Sequence, residues 1–210
     1  MRAPLLRSGL KKSLVSVGKK KPHKTTLAFG NTFSDHMLDC NWTSSNGWGS
    51  PEIIPYGPLN LSPAVSCLHY GLQCFEGMKA YKGQKGEIRL FRPDMNMARL
   101  NLSSKRLSLP TFDGGEYTEC IKELLRTDKD WIPEGEGYSM YLRPTHISTH
   151  PYLGVNSPEC SKLFTIMSPV GPYYKEGFAP VKLYADSNNV RAWPGGVGGA
   201  KVGGKSIGCF

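Results

Sequence analysis

The chain has 210 residues, enough for one domain or one and a half, and with 39% hydrophobic and 20% charged residues it reads as an ordinary globular protein. It contains no apolar run of the roughly 18 residues that a membrane-spanning helix needs, so membrane insertion is not expected. A net charge of +9 suggests nucleic acid, yet eight of the 26 basic residues crowd into residues 1–24, which leaves 18 basic against 17 acidic side chains elsewhere.

The basicity therefore belongs to a tail, and no nucleic-acid surface is expected on the rest. The tail carries Arg2, Arg7, Lys11, Lys12, Lys19, Lys20, Lys21 and Lys24, and no acidic residue precedes Asp35. Leu6, Leu10 and Leu14 recur every four residues, with most of the cations elsewhere on the helical wheel. Basic, acid-free and amphipathic is the pattern of a mitochondrial targeting segment. The alternative is a disordered basic arm on a cytoplasmic protein. Either way, residues 1–28 are expected to stand apart from the fold.

"FSDHMLDCNWT" mixes apolar and polar residues as a half-buried strand does. Pro51, Pro55 and Pro58 punctuate the next stretch. "SPAVSCLHYGLQCFEG" reads as a helix, with Ser62 as cap, Pro63 at the first position and Gly77 beyond the end. "MKAYKGQKGEIRLFRP" carries a hairpin signal, two strand-like runs about a Lys/Gly/Gln turn. Helices follow over "DMNMARLNLSSKRL" and over "GEYTECIKELLRTDKDWI", where Cys120, Ile121, Leu124 and Leu125 keep helical spacing. "YSMYLRPTHIS", "SKLFTIMSPVG" and "PVKLYADS" give three more strands. The mixture implies an α/β fold with α+β character rather than clean βαβ alternation. "SPVGPYYKEGFAP", with three prolines and two glycines, reads as an interdomain linker over residues 168–181. Residues 29–167 precede it as one α/β domain, and residues 182–210 are too few to form another alone.

Two patterns invite a metal reading. Cys40, Cys67, Cys74, Cys120, Cys160 and Cys209 form no CxxC pair, and without a secretory signal they read as reduced thiols. His146 and His150 sit four apart, but the intervening "IST" favours a strand exit over a ligand-bearing helix. No metal is expected.

The last stretch, "RAWPGGVGGAKVGGKSIGCF", permits close backbone approach to a ligand. Gly199–Ser206 satisfies the phosphate-loop pattern G-x-x-x-x-G-K-[ST], but no apolar strand runs into Gly199 and four residues are too few for the helix that the motif requires. Alternatively, Lys201 in a partly desolvated, cofactor-lined pocket is an amine nucleophile toward an aldehyde.

"LHYGLQCFEGMKAYKG" (Leu68 to Gly83), "IRLFRPDMNMARL" (Ile88 to Leu100), "LPTFD", "YLRPTHI", "YLGV", "SPVGPYY" and "VRAWPGGVGGAKVGG" stand in one order, and together they resemble the branched-chain amino-acid aminotransferase family from Phe29 to Gly204. The resemblance implies the fold-type IV architecture of pyridoxal-phosphate enzymes: a small N-terminal α/β domain, a linker and a larger cofactor domain, of which residues 182–210 are the beginning. It implies a homodimer that transfers the amino group of leucine, isoleucine or valine to 2-oxoglutarate. It assigns Lys201 as the lysine that carries pyridoxal 5'-phosphate and Arg99 as the guanidinium on the cofactor phosphate, where a rigid fork matches phosphate oxygens. Phe29, Tyr70, Phe75, Tyr141, Leu153, Val155 and Tyr173 would surround an aliphatic side chain, some across the dimer interface, and Arg143 would orient polar groups. The family pattern continues past "KxGG" with Asn-Tyr and over a hundred residues, whereas this chain has Lys205 and Ser206 and stops at Phe210. A C-terminally truncated form is therefore expected. Its alternatives are a non-catalytic short form pairing with full-length subunits and, last, a nucleotide-binding protein using Gly199–Ser206.

Overall fold

The computed structural model describes residues 7–172, 180, 182–185 and 192–206. Its centre is two long strands, β8 (Ser139–Ser148) and β9 (Cys160–Val170), paired antiparallel from Ser139↔Val170 to Ser148↔Ser161. Around them stand β1 (Lys11–Lys12), β2 (His36–Thr43), β4 (Glu52–Pro55), β6 (Met78–Lys82) and β7 (Ile88–Leu90), in the order β1-β4-β2-β9-β8-β6-β7. Short β3 (Gly47–Trp48) pairs with β2, and β5 (Gln73–Phe75) with β8. All these pairings are antiparallel except β1 with β4.

Alternation decides which face each residue takes. Met140 and Leu142 on β8, Leu163 and Met167 on β9 and Leu38 and Cys40 on β2 are all buried in one cluster. Helices α2 (Pro93–Arg106) and α3 (Gly114–Thr127) cover that face with Met97, Leu100, Tyr117, Ile121 and Leu124. Proline at the first turn opens α2, and the Asp113 side chain caps α3 by accepting the Glu116 N–H at 3.0 Å. The intervening strand positions, Tyr141 and Arg143 on β8 and Ile166 and Ser168 on β9, point to the opposite face. That opposite face carries the site.

The hairpin, both long helices and the strands over residues 36–43, 139–148 and 160–170 stand where the spacing places them. Three expectations differ. The helix expected from Ser62 to Gly77 shrinks to α1 (Ser66–Tyr70). Gly71, at φ 63, ends it in the left-handed conformation, and the following residues find a ladder on β8 through Gln73↔Ile147 and the Ser148 N–H on the Leu72 carbonyl. Long-range pairing overrides the local helical pattern. Ser62 accepts the Ala64 N–H in a turn ahead of the helix, and Val65 holds the cap position. The strand expected over "PVKLYADS" does not form at Lys182–Ala185, where Leu183 and Tyr184 are exposed; Val181, Asp186 and Ser187 lie outside the described residues.

The third difference is the tail. From Arg7 onward it lies on the domain instead of standing apart. Lys11 and Ser13 donate backbone N–H groups to Pro51 and Ile53, Val15 donates to His36 Nε2, and Leu10 packs on the core. Its cations meet the acidic side of α3: Arg7 lies 3.3 Å from Glu123, and Lys12 lies 3.1 Å from the same carboxylate. Lys19 donates its N–H to Asp35 at 2.8 Å and sets its ammonium 4.5 Å from the centre of the Tyr56 ring. Residues 1–6 are outside the described set.

Candidate cofactor and substrate site

The site begins with an interruption in a strand. β5 and β6 pair with the same edge of β8, and Glu76–Gly77 lies between them, opposite Arg143–Pro144. The Glu76 N–H reaches the Pro144 carbonyl at 2.8 Å, while proline offers no N–H in return. Glu76 is fully buried. Its carboxylate accepts from Arg99 Nε at 2.5 Å, Arg99 Nη2 at 2.8 Å, Asn96 Nδ2 at 2.8 Å and the Gly77 N–H at 3.2 Å. A buried carboxylate needs such partners, since an unpaired one is costly. The Glu76 hydrogen bond in turn raises the Arg99 pKa above its ordinary value, against a smaller opposing effect of burial. Gly77 is required where it stands, because a Cβ there would collide with the Tyr141 hydroxyl.

Arg99 itself is half exposed. Together with Gly77, Lys79, Arg92, Asn96 and Tyr141 it lines an open cavity of about 530 Å³. Three cationic side chains on one cavity favour an anion. Arg92, at the start of α2, holds the left-handed conformation with φ 47 and ψ 51, which a non-glycine residue seldom adopts.

A chain of contacts runs from that cavity to the lysine. The Phe29 and Tyr141 rings meet edge to face at 4.9 Å between centroids. Arg143 donates to the Tyr141 hydroxyl from Nε at 3.2 Å and from Nη2 at 3.1 Å, with its guanidinium carbon 4.6 Å from the Phe75 ring centre. The Lys201 ammonium lies 4.5 Å from the same centre. Lys201 is anchored by its backbone: its carbonyl accepts the Phe75 N–H at 3.1 Å, and its N–H reaches Ser103 Oγ at 2.9 Å. Ser103 Oγ also donates to the Arg99 carbonyl at 2.9 Å, so one hydroxyl ties the lysine segment to the helix that carries Arg99. A second cavity, of about 180 Å³, is lined by Phe29, Phe33, Tyr141, Arg143, Ile166 and Ser168. The buried Ser168 hydroxyl has no hydrogen-bond partner among the described residues.

Phe29, Phe75, Arg99, Tyr141, Arg143 and Lys201 are thus linked through the two cavities and the contacts around Phe75 and Ser103. Tyr70, Leu153 and Val155 line neither cavity. The Tyr70 hydroxyl donates to the Leu153 carbonyl, and Leu153 and Val155 are exposed. Tyr173 lies outside the described residues. Sequence reasoning missed Glu76, Asn96 and Ser103. The one available signal was an acidic residue directly after the apolar "QCF" run.

The remaining motifs resolve plainly. His146 is a buried core residue whose Nδ1 bonds Ser104 at 2.9 Å and whose Nε2 bonds Ser161 at 3.0 Å. No cluster of metal-ligating side chains occurs among the described residues. In the phosphate-loop match, Val202 bridges Cys74 and Gly203–Ser206 form a 3-10 turn, with no strand assigned in residues 192–199 before it. No described helix is long and apolar enough to cross a membrane.

No family model matches the chain. Curated relatives do. A branched-chain-amino-acid aminotransferase of Monosiga brevicollis is 57% identical over 88% of this chain and 47% of its own length. A cytosolic branched-chain-amino-acid aminotransferase of Saccharomyces cerevisiae is 47% identical over 99% of this chain and 55% of its own length. The crystal structure of an Escherichia coli branched-chain amino acid aminotransferase shares the fold, with a TM-score of 0.57 at 22% identity over 81% of this chain and 53% of that one. The relatives include both cytosolic and mitochondrial proteins. The chain spans about half the length of the curated relatives it matches, and over that span it is similar to branched-chain-amino-acid aminotransferases.

Proposed function

We propose that the intact protein transfers the amino group of leucine, isoleucine or valine to 2-oxoglutarate, with pyridoxal 5'-phosphate as cofactor. The observation that carries this reading is the double hydrogen bond of Ser103, which holds the Lys201 backbone against the turn of α2 that begins at Arg99. The residues present fit the cofactor. Arg99 faces a cavity large enough for it beside two further cations, and Lys201 offers a primary amine, which condenses reversibly with an aldehyde. When bound, the cofactor supplies that aldehyde and a ring that takes up electron density from the substrate Cα.

This chain's own residues do the rest. Arg99 would hold the phosphate through its planar donors. Lys201 Nζ would hold the cofactor covalently and, as a free amine, would carry the substrate Cα proton. Its Nζ stands over the Phe75 ring, which places the amine beside the aromatic wall of the pocket. Arg143 and the Tyr141 hydroxyl orient polar groups of the substrate. Phe29, Phe75 and Tyr141 form a wall that suits an aliphatic side chain and discriminates weakly among the three, since one methylene is worth about 1–3 kcal/mol.

Tyr70, Leu153 and Val155 belong to this pocket through a second copy of the chain. Their joint exposure on one side of the domain supports a homodimer. For the compartment we propose mitochondria, on the acid-free basic run of residues 1–24. A reporter fused to those residues should enter mitochondria, and a diffuse cytosolic signal would refute the assignment.

The activity is tested with purified intact protein, leucine and 2-oxoglutarate, reading glutamate formation. Borohydride trapping followed by mass spectrometry should find the cofactor mass on Lys201, and Lys201→Ala should remove both the adduct and the turnover. Turnover near that of the unmodified protein in Lys201→Ala would overturn the assignment.

A further inference from the structure

We propose that Glu76 is a positioning residue for anion recognition: it fixes the Arg99 guanidinium so that the end of the fork, and not its side, is offered to the cofactor phosphate. The inference rests on the reading of Arg99 as the phosphate ligand and goes beyond it.

A guanidinium has five N–H donors in one plane. Glu76 takes the pair along one side, Nε–H and one Nη2–H, in a side-on fork. Three donors remain, both on Nη1 and one on Nη2. The Nη1–Nη2 end can therefore still grip two oxygens of an anion while the side is occupied. The two arrangements are compatible, and the first limits the freedom of the second.

The asymmetry of burial gives the direction of control. Glu76 is fully buried, whereas the Arg99 side chain is about half exposed (51%). A half-exposed arginine on a helix surface samples many rotamers, and ordering it opposes binding. Glu76 has no such freedom. Its backbone is pinned by the Pro144 carbonyl, and its carboxylate by Asn96 Nδ2, which also donates to the Gly77 carbonyl at 3.1 Å. The rigid partner sets the mobile one. Asn96 and Gly77 line the same cavity as Arg99, so the positioning unit and the anion site share a wall.

A purely structural role for Glu76 would weaken all ligands of the site alike, whereas a role through Arg99 would act on the phosphate group alone. The test compares pyridoxal 5'-phosphate with pyridoxal, which lacks the phosphate, on the intact protein, following cofactor absorbance. Glu76→Gln keeps the volume but sets an amide NH2 or a lone carbonyl against the fork. It should weaken pyridoxal 5'-phosphate by about tenfold or more, the scale of one lost charge-assisted hydrogen bond, and leave pyridoxal unchanged. Arg99→Ala should cost at least as much, and the Glu76→Gln/Arg99→Ala pair no more than Arg99→Ala alone. Should Glu76→Gln fail to fold, Asn96→Ala removes one of the carboxylate's supports, and a phosphate-selective loss of a few fold is expected. Equal weakening of both ligands, or additive losses in the double variant, would overturn the positioning role. An unmodified protein that binds the two ligands equally would instead sink the assignment of Arg99, and with it this inference.

Discussion

At the scale of single residues, His146 and Lys201 show how environment decides what a side chain can do. His146 is sealed beneath the helices with a serine on each ring nitrogen, and burial pushes its pKa down to about 3 from an ordinary 6.5. It is neutral in the fold. The unfolded chain takes up a proton as pH falls below 6.5 and the folded one does not, so this stabilisation is complete above 6.5 and fades as pH falls toward 3. The scale is roughly 1.4 kcal/mol for each unit of displacement. Urea midpoints measured from pH 7 to pH 5 should therefore fall, and His146→Gln, which cannot be protonated, should flatten that slope. An identical slope in the variant would mean that His146 is not the responsible group. Single residues were also the hardest to read from sequence alone. Arg99 looks like the solvated face of an amphipathic helix and Lys201 like a loop lysine until the family resemblance marks both. Glu76 was missed because its partner lies 23 residues away and its one local sign, a place directly after the apolar "QCF" run, says nothing of that partner.

Elements whose stability is local in origin were legible. β8, β9 and α3 each bury a face at the period of their own geometry, and their bounds fall within a few residues of the spacing that predicts them. The segment from Ser62 to Gly77 was misread because its second half takes its hydrogen bonds from β8, some 70 residues downstream. The basic arm was misread for a related reason: composition reports its charge but not the acidic surface of α3 that receives it. This arm carries its own prediction. Burial pushes Asp35 up, but the Lys19 N–H, the Trp131 indole and the Lys19 charge outweigh it and hold the carboxyl below 3.8. The hydrogen bond from Lys12 holds Glu123 below its ordinary 4.5. Both folded values lie under the unfolded ones, so their contribution is whole above the ordinary carboxylate range and is lost as pH falls through it. Each partly exposed pair is worth about 1 kcal/mol or less. The amides of Lys11 and Ser13 should then be protected from hydrogen exchange at pH 7, and should lose protection on acidification before those of β8 and β9. Simultaneous loss would show that the arm is not a separate acid-labile unit.

For the molecule as a whole, the informative surface lies away from the Arg99–Lys201 group. Leu68, Tyr70, Tyr152, Leu153 and Val155 are all exposed, with Val155 at 79% and Leu68 at 67%. The Tyr70 hydroxyl on the Leu153 carbonyl joins the end of α1, which also carries Leu68, to the loop after β8, which carries Tyr152, Leu153 and Val155. Exposed apolar side chains on two joined segments suit an interaction site. Under the proposed homodimer, this surface brings Tyr70, Leu153 and Val155, which line neither cavity within one copy, to the pocket of the other. In such an isologous pair each chain would lend the other the same residues. The double variant Leu68→Lys/Tyr152→Lys places two charges on that surface without touching either cavity or any residue assigned to the pocket. In analytical ultracentrifugation the unmodified intact protein should sediment as a dimer and the variant as a monomer, with circular dichroism unchanged. Leucine transamination should fall with dimer content. A variant that is monomeric yet fully active would show that one copy holds a complete pocket, and an unmodified protein that is monomeric at assay concentration would remove the proposed partner altogether.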